Sequence, residues 1–253
     1  MKVTGVILAG GWGTRMEKIC NEIPKAILEF NGTPFLVYLV DWLRIYCDEI
    51  VISADYNSRS IEAIFGQENW RKKNVKIASG KLPLGTGGAI RLAVSQATNK
   101  TIFVCNSDTV VSDINMIRIV RRHLTRNSQI TTILTKNEDM VQNRGAITVQ
   151  SSLVIGFEEG KGDKRINSNN ASSTGCYVMN KEFILKHFPV QDGINLREIS
   201  LERELLPLFV ATNMVDAFIM ERNRFFIDFG NPLRYEMLKN KEGIISQIYR
   251  KGG

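Results

Sequence analysis

Up to residue 110, short β-rich apolar runs alternate with longer stretches of helical period. A parallel sheet covered by helices produces that arrangement. Residues 3–9 form a nearly continuous apolar run, as a strand buried on both faces does. Over 35–46, Phe35, Leu36, Leu39, Val40, Trp42, Leu43 and Tyr46 fall on one broad helical face, with Pro34 at the start, where its missing N–H costs nothing. The pattern predicts further strands over 49–54, 75–79 and 101–105. It predicts helices over 58–65, with Ser58 or Ser60 as cap, and over 88–97.

Past a helix predicted over 113–126 the texture changes. Strands over 130–135, 146–150, 153–158 and 174–179 have few long helices between them, which predicts a mixed or antiparallel extension. The polar, Asn- and Ser-rich stretch 160–173 reads as a loop between strands. A helix over 196–209 is expected to end or kink near Pro207. Strands follow over 215–220 and 225–227, and a helix over 232–249 closes the chain before a basic tail. No repeat and no long linker interrupts the pattern. Residues 1–253 are therefore expected to form a single α/β unit: a Rossmann-like mixed, mostly parallel sheet flanked by helices, with a small β-rich elaboration over about 129–253.

Composition leaves this picture standing. The chain is 43% apolar and 23% charged with 20 glycines, ordinary globular usage that excludes disordered, collagenous and coiled-coil classes. Lys+Arg 33 against Asp+Glu 26 leaves +7, a surplus that suits nucleic acid or a small polyanion such as a nucleotide. Arg121, Arg122 and Arg126 with His123 make a basic helical face, and Arg250 and Lys251 a basic tail. No aromatic platform or RNA-binding signature accompanies them, so the face reads as solvated and no nucleic-acid partner is expected.

No apolar run approaches the ~18 residues of a membrane span. Met1 and Lys2 lead straight into the first strand without a signal-peptide layout, so a soluble cytoplasmic protein is expected. Cys20, Cys47, Cys105 and Cys176 include no C-x-x-C pair, and the histidines are His123 and His187. A zinc site would lack ligands, and the cysteines read as buried thiols.

Chemistry concentrates in Leu8-Ala9-Gly10-Gly11-Trp12-Gly13-Thr14-Arg15, directly after the first strand, with Pro24-Lys25 close behind. A glycine-rich turn leaving a buried strand presents several backbone N–H groups to a polyphosphate. The carboxyl ends of strands are also where open α/β sheets bind ligands. Neither common nucleotide fingerprint fits: G-x-G-x-x-G lacks its third glycine, and no G-x-x-x-x-G-K-[ST] is present. What remains is a phosphate cradle bearing Arg15 and Lys25. Asp108 follows the strand over 101–105 and Asp228 ends an apolar strand, so both carboxylates should emerge at the same edge. Two acids at a phosphate site repel one another unless a cation lies between them, and oxygen ligands with a phosphate partner suit Mg²⁺.

The glycine loop followed by Pro24-Lys25 resembles the opening signature of the sugar-1-phosphate nucleotidyltransferases. The likeness continues in order through Pro83-Leu84-Gly85-Thr86-Gly87-Gly88-Ala89, Asn106-Ser107-Asp108, Arg144-Gly145-Ala146 and Phe226-Ile227-Asp228-Phe229-Gly230. The form of the second loop, with Thr174-Gly175-Cys176-Tyr177, is most like the D-glycero-alpha-D-manno-heptose 1-phosphate guanylyltransferases.

The resemblance implies the nucleotide-diphospho-sugar transferase fold, with nucleotide bound mainly by about 1–128 and the sugar by about 129–253. It implies an NTP, GTP favoured, and a sugar 1-phosphate as substrates, and it allows a homodimer. Arg15, Lys25 and Asp108 would be catalytic, and Asp108 and Asp228 would hold Mg²⁺. Leu8, Ala9, Gly10, Gly11, Gly13, Thr14, Gly85, Thr86 and Gly87 would bind the nucleotide, and Gly145, Glu159, Lys161 and Gly175 the sugar phosphate.

Three positions depart from the family pattern. The lysine that usually follows Glu directly is displaced to Lys161, with Lys164 behind it. Lys81 stands where an acid commonly precedes Pro-Leu-Gly, and Ser107 replaces a glycine. The reaction implied is in-line attack of a phosphate oxygen on the α-phosphorus of the NTP. The nucleophile is already a dianion near neutral pH, which explains how a chain poor in histidine can be an enzyme. Nucleotidyl transfer to a phosphorylated amino compound or alditol, and nucleotide binding without turnover, are the alternatives.

Overall fold

The structure, a computed structural model, describes residues 1–11, 16, 24–54, 58–80, 82–111, 115–136, 146–158, 170–190, 197–221, 226–240, 243, 245 and 249. In chain order its strands are β1 (Val3–Leu8), β2 (Glu29–Phe30), β3 (Thr33–Pro34), β4 (Glu49–Ser53), β5 (Val75–Ala78), β6 (Thr101–Asn106), β7 (Thr109–Val111), β8 (Ile130–Thr135), β9 (Ala146–Gln150), β10 (Leu153–Glu158), β11 (Asn170–Asn180), β12 (Val215–Ile219) and β13 (Phe226–Asp228).

Among the described residues the main sheet runs β5-β4-β1-β6-β11-β8-β12-β10-β9. The first four strands are mutually parallel. β1 is buried at every position, and its alternating side chains feed two cores. Val3 and Ile7 point to the face covered by the helix Phe35–Leu43. Val6 and Leu8 point to the face covered by the helix Gly85–Gln96. Burying a side chain such as Ile7 or Val6 contributes about 2 kcal/mol, so this period-two division fixes which face each helix must cover.

β11 runs antiparallel to both β6 and β8, and β12 is parallel to β8. β11 also starts against β9, Asn170 opposite Thr148, so the second half of the sheet curls back on itself. This is the predicted β-rich elaboration. No helix among the described residues is long and apolar enough to cross a membrane.

Several elements differ from the pattern. Residues 170–173 belong to β11 rather than to a loop, because backbone pairing of Ser172 and Ser173 with Thr135 and Leu134 outweighs their polarity. A helix Lys181–His187, capped where Asn180 Oδ1 accepts from Phe183 N, lies where none was predicted. The helix predicted over 196–209 begins only at Leu201, as a π turn Leu201–Leu205 that passes into the α-helix Leu206–Ala211. The register changes just before Pro207, which has no N–H to bond into the preceding turn. The helix predicted from 113 is Met116–Thr125, with Asn115 as its cap.

His123 does not belong to an exposed basic face. It is buried, with Nδ1 2.8 Å from Thr131 Oγ1, and desolvation lowers its pKa to about 4. Arg126 pairs with Asp216 at 3.1 Å, and Arg122 donates to the Ala217 carbonyl. Cys47, Cys105 and Cys176 are buried thiols, as expected, and Cys20 lies outside the described residues. The closing helix is described over Pro232–Lys239, and Gly243, Ile245 and Tyr249 are again helical.

Candidate active site

β1 and β6 are paired in register, Leu8 opposite Asn106. Both therefore end at the same level, and the segments that follow leave the sheet side by side. Ala9 N donates to Ser53 O and Ser107 N donates to Leu8 O, which pins each departure. A cleft of about 720 Å³ opens there, within the range of small-molecule sites. Leu8, Ala9, Gly10, Gly11, Lys25, Pro83, Gly85, Thr86, Asn106, Ser107 and Asp108 line it from the parallel half. Glu198, Ser200, Arg203 and Glu204 line it as well.

Lys25 sits in a short 3₁₀ turn, Lys25–Ile27, directly after Pro24. Its Nζ lies 2.5 Å from Asp108 Oδ2, both side chains largely shielded. Asp228 ends β13, which pairs antiparallel with β7 so that Asp228 stands opposite Thr109. Phe229 N donates to the Asp108 carbonyl at 2.9 Å, and the buried Phe229 ring packs edge-on against Phe30 and Phe35. The two acids are thus backbone neighbours on an anchored ribbon.

Asp228 Oδ1 accepts from Gly230 N, and Oδ2 takes Arg234 Nη1 at 2.7 Å. Each carboxylate so has its own cation, Lys25 for Asp108 and Arg234 for Asp228. Hard oxygen donors of this kind fit Mg²⁺. No group of three or more metal-ligating side chains occurs among the described residues, so a bound ion would draw its other ligands from phosphate and water.

The second loop is held from behind. Gly85 has φ +68, and a Cβ there would fall 2.6 Å from Ile199 N and O, so this close approach needs glycine. Ile199 N donates to Leu84 O, and Gly87 N donates to Ile199 O. Gly85 and Thr86 line the cleft, whereas Gly87 spends its N–H on Ile199. Thr86 Oγ1 accepts from Leu201 N and donates to Glu202 Oε2. Gly175 is set back from the cleft in a bulge of β11, at φ +72, where a Cβ would fall 2.5 Å from Asn106 Nδ2. It gives room to Asn106, which does line the cleft.

Gly13, Thr14, Arg15, Lys81, Gly145, Glu159, Lys161 and Lys164 lie outside the described residues. The residues from Glu198 to Glu204, and Arg234, carry no motif that singles them out. One signal was available in the spacing of Ser200 and Glu204. Ser200 Oγ accepts from Arg203 N while Glu204 accepts from Ser200 N, a capping box widened by one residue to fit the π turn. The Ser200 amide, with Arg197 behind it, holds the Glu204 carboxyl below the usual range.

Comparison with known proteins agrees with this geometry. The model of the Nucleotidyl transferase family matches residues 4–241. The chain is 27% identical over 231 residues to D-glycero-alpha-D-manno-heptose 1-phosphate guanylyltransferase of Aneurinibacillus thermoaerophilus, covering 91% of this chain and 94% of that one. It is 27% identical over 232 residues to mannose-1-phosphate guanylyltransferase of Mycobacterium tuberculosis, spanning 62% of that relative and 91% of itself.

Among solved structures, HddC from Yersinia pseudotuberculosis complexed with GMP-PN is similar with TM-score 0.76 at 27% identity, over 95% of this chain and 99% of that one. The inositol-1-phosphate CTP transferase of T. maritima is similar with TM-score 0.69 at 18% identity, over 96% of each chain, a likeness of fold alone. A family match that runs from β1 to just past the helix Pro232–Lys239, over a cleft built by the motif residues themselves, settles membership: this chain belongs to the Nucleotidyl transferase family and is a nucleotidyltransferase.

Proposed function

We propose that the protein transfers GMP from GTP to a sugar 1-phosphate, heptose 1-phosphate first among the candidates, forming a GDP-sugar and releasing pyrophosphate. The observation that carries this reading is the meeting of Gly10, Gly11, Lys25 and Asp108 on one strand-edge cleft, with Asp228 beside Asp108 on the paired ribbon. The names of the heptose and mannose guanylyltransferases support the choice of GTP and a sugar phosphate.

The acceptor phosphate, with a second pKa near 6, is mostly dianionic at neutral pH, so no side chain has to remove a proton. The residues position and neutralise. The Gly10–Gly11 backbone, extended by Gly13, Thr14 and Arg15, would cradle the triphosphate, and Lys25 would follow the charge that builds on the α-phosphate and the leaving pyrophosphate. Asp108 and Asp228 would hold Mg²⁺, which supplies charge neutralisation across the reacting phosphates. Gly85 and Thr86 would border the nucleoside. Gly145, Glu159 and Lys161 would receive the sugar phosphate. NTP consumption fits a cytoplasmic location, and a homodimer is part of the same proposal.

The test is pyrophosphate release from the pure protein with each NTP, Mg²⁺ and a panel of sugar 1-phosphates. The expected result is fastest release with GTP and heptose 1-phosphate. A preference for CTP and a phosphorylated alditol or amino compound transfers the reading to that acceptor class, and silence across the panel overturns it.

A further inference from the structure

Behind the cleft, a line of hydrogen bonds joins the second loop to the middle of the sheet. Thr86 Oγ1 accepts from Leu201 N at 2.7 Å, so its one proton is directed at Glu202 Oε2, 2.8 Å away. The other carboxylate oxygen, Oε1, accepts from Tyr177 OH at 3.2 Å. Tyr177 is fully buried at the centre of β11, and burial first, then the Glu202 charge, pushes its phenol up, so it stays protonated and able to donate. Its oxygen lies 3.3 Å from Ser173 Oγ, which accepts from Gly175 N. Gly175 in turn leaves the space that Asn106 fills on the cleft floor.

We infer that Glu202 is a positioning residue: by receiving Thr86 from one side and Tyr177 from the other, it sets the wall formed by Gly85 and Thr86 in register with the floor at Asn106. Hydroxyl donors 116 and 25 residues away meet on one carboxylate. That carboxylate is delivered by a π turn, a rare element that tends to mark functional sites. Its negative charge works against an anionic ligand nearby, so its value lies in geometry. Misplacing reacting groups by about 1 Å can cost on the order of 10²-fold in rate.

Hydrogen exchange in the absence of substrate tests the link directly, comparing wild type with Glu202→Gln and Tyr177→Phe. Protection of the Gly87 and Leu201 amides, which donate to Ile199 O and Thr86 Oγ1, is expected to fall at least about fivefold in both variants while β1 and β6 keep theirs. Unchanged protection overturns the inference, whatever the turnover panel shows.

A kinetic arm rests on the proposed reaction. Glu202→Gln is expected to lower kcat about tenfold with KM for the nucleotide within about twofold, and adding Tyr177→Phe is expected to cost little more. A raised nucleotide KM with kcat intact, additive losses, or a lowered Tm with both constants unchanged per folded molecule would each overturn it. A wild type that releases no pyrophosphate sinks the reaction, while the exchange result still decides the role of Glu202.

Discussion

The parallel strands carry a buried carboxylate at each end, and the two ends behave differently. At the amino end, Glu49 opens β4 with its side chain almost wholly shielded. It accepts from Thr4 Oγ1, Thr98 N and Thr98 Oγ1 and pairs with Lys76. Burial pushes its pKa up, but the bonds from Lys76, Thr98 and Thr4 outweigh burial and hold it below the usual value. At the carboxyl end, Asp108 pairs with Lys25, and both line the cleft. Both acids are paired with lysine. Glu49 is enclosed by protein donors and locks strand to strand, whereas Asp108 faces a volume that a phosphate or metal ion can enter. Position relative to the cleft, more than charge or burial, separates this structural acid from the one proposed to be catalytic.

The sharpest way to break this comparison is Asp108→Asn, which keeps shape and removes charge. It should lower kcat about 10³-fold with Tm nearly unchanged, read by pyrophosphate release and thermal melting. Full activity would return Asp108 to the class of Glu49.

The converse change, Glu49→Gln, weakens the bonds that Thr4 and Thr98 direct at the buried carboxylate and should cost about 2 kcal/mol in denaturant unfolding, with turnover per folded molecule intact. Because the folded pKa of Glu49 lies below its unfolded value, its contribution is present above the ordinary carboxylate range. It is lost as pH falls through the folded pKa, so the variant should be less acid-sensitive than wild type.

His123 sharpens the contrast, since it too is buried away from the cleft. Its pKa falls from 6.5 to about 4, so as pH drops the unfolded chain takes the proton first. Stability is full above 6.5 and declines toward pH 4, by about 3 kcal/mol in total. His123→Gln should flatten the unfolding curve across that window without changing the rate of transfer at neutral pH.

The smallest effect is expected at Gly175, where Gly175→Ala strains a left-handed backbone at a cost of about 1 kcal/mol. The new methyl also crowds Asn106, so this change, unlike Glu49→Gln, should slow turnover as well, though less than Asp108→Asn.

The strands of the parallel half stand out along the chain because both of their faces are buried, which leaves nearly continuous apolar runs at 3–8, 49–53 and 101–105. Asp108 was legible for a related reason, since a residue just past a buried strand end has nowhere to go but the sheet edge. Lys25, on a 3₁₀ turn, was legible from its motif, and Asp228 ends a strand as expected, though of the β7–β13 ribbon and not of the main sheet. Other features gave no such signal. The first four residues of β11, 170–173, lie within the polar stretch because their partners are backbone groups of β8 and β9. Glu202 reads as one more charge on a helix until the π turn brings it to Thr86 and Tyr177. His123 looks like part of a basic face until Thr131, on the next strand, takes its ring nitrogen.

The order of apolar runs, the glycine loop and the acids at strand ends were determined by sequence alone, because local period and turn chemistry act over a few neighbouring residues. Which cation faces Asp108, which distant segment joins the second loop at the cleft and which hydroxyls meet on Glu202 were decided only by the tertiary structure. Those contacts join residues 25 to 116 positions apart, and no local pattern records the distance between side chains that meet only after the sheet has formed.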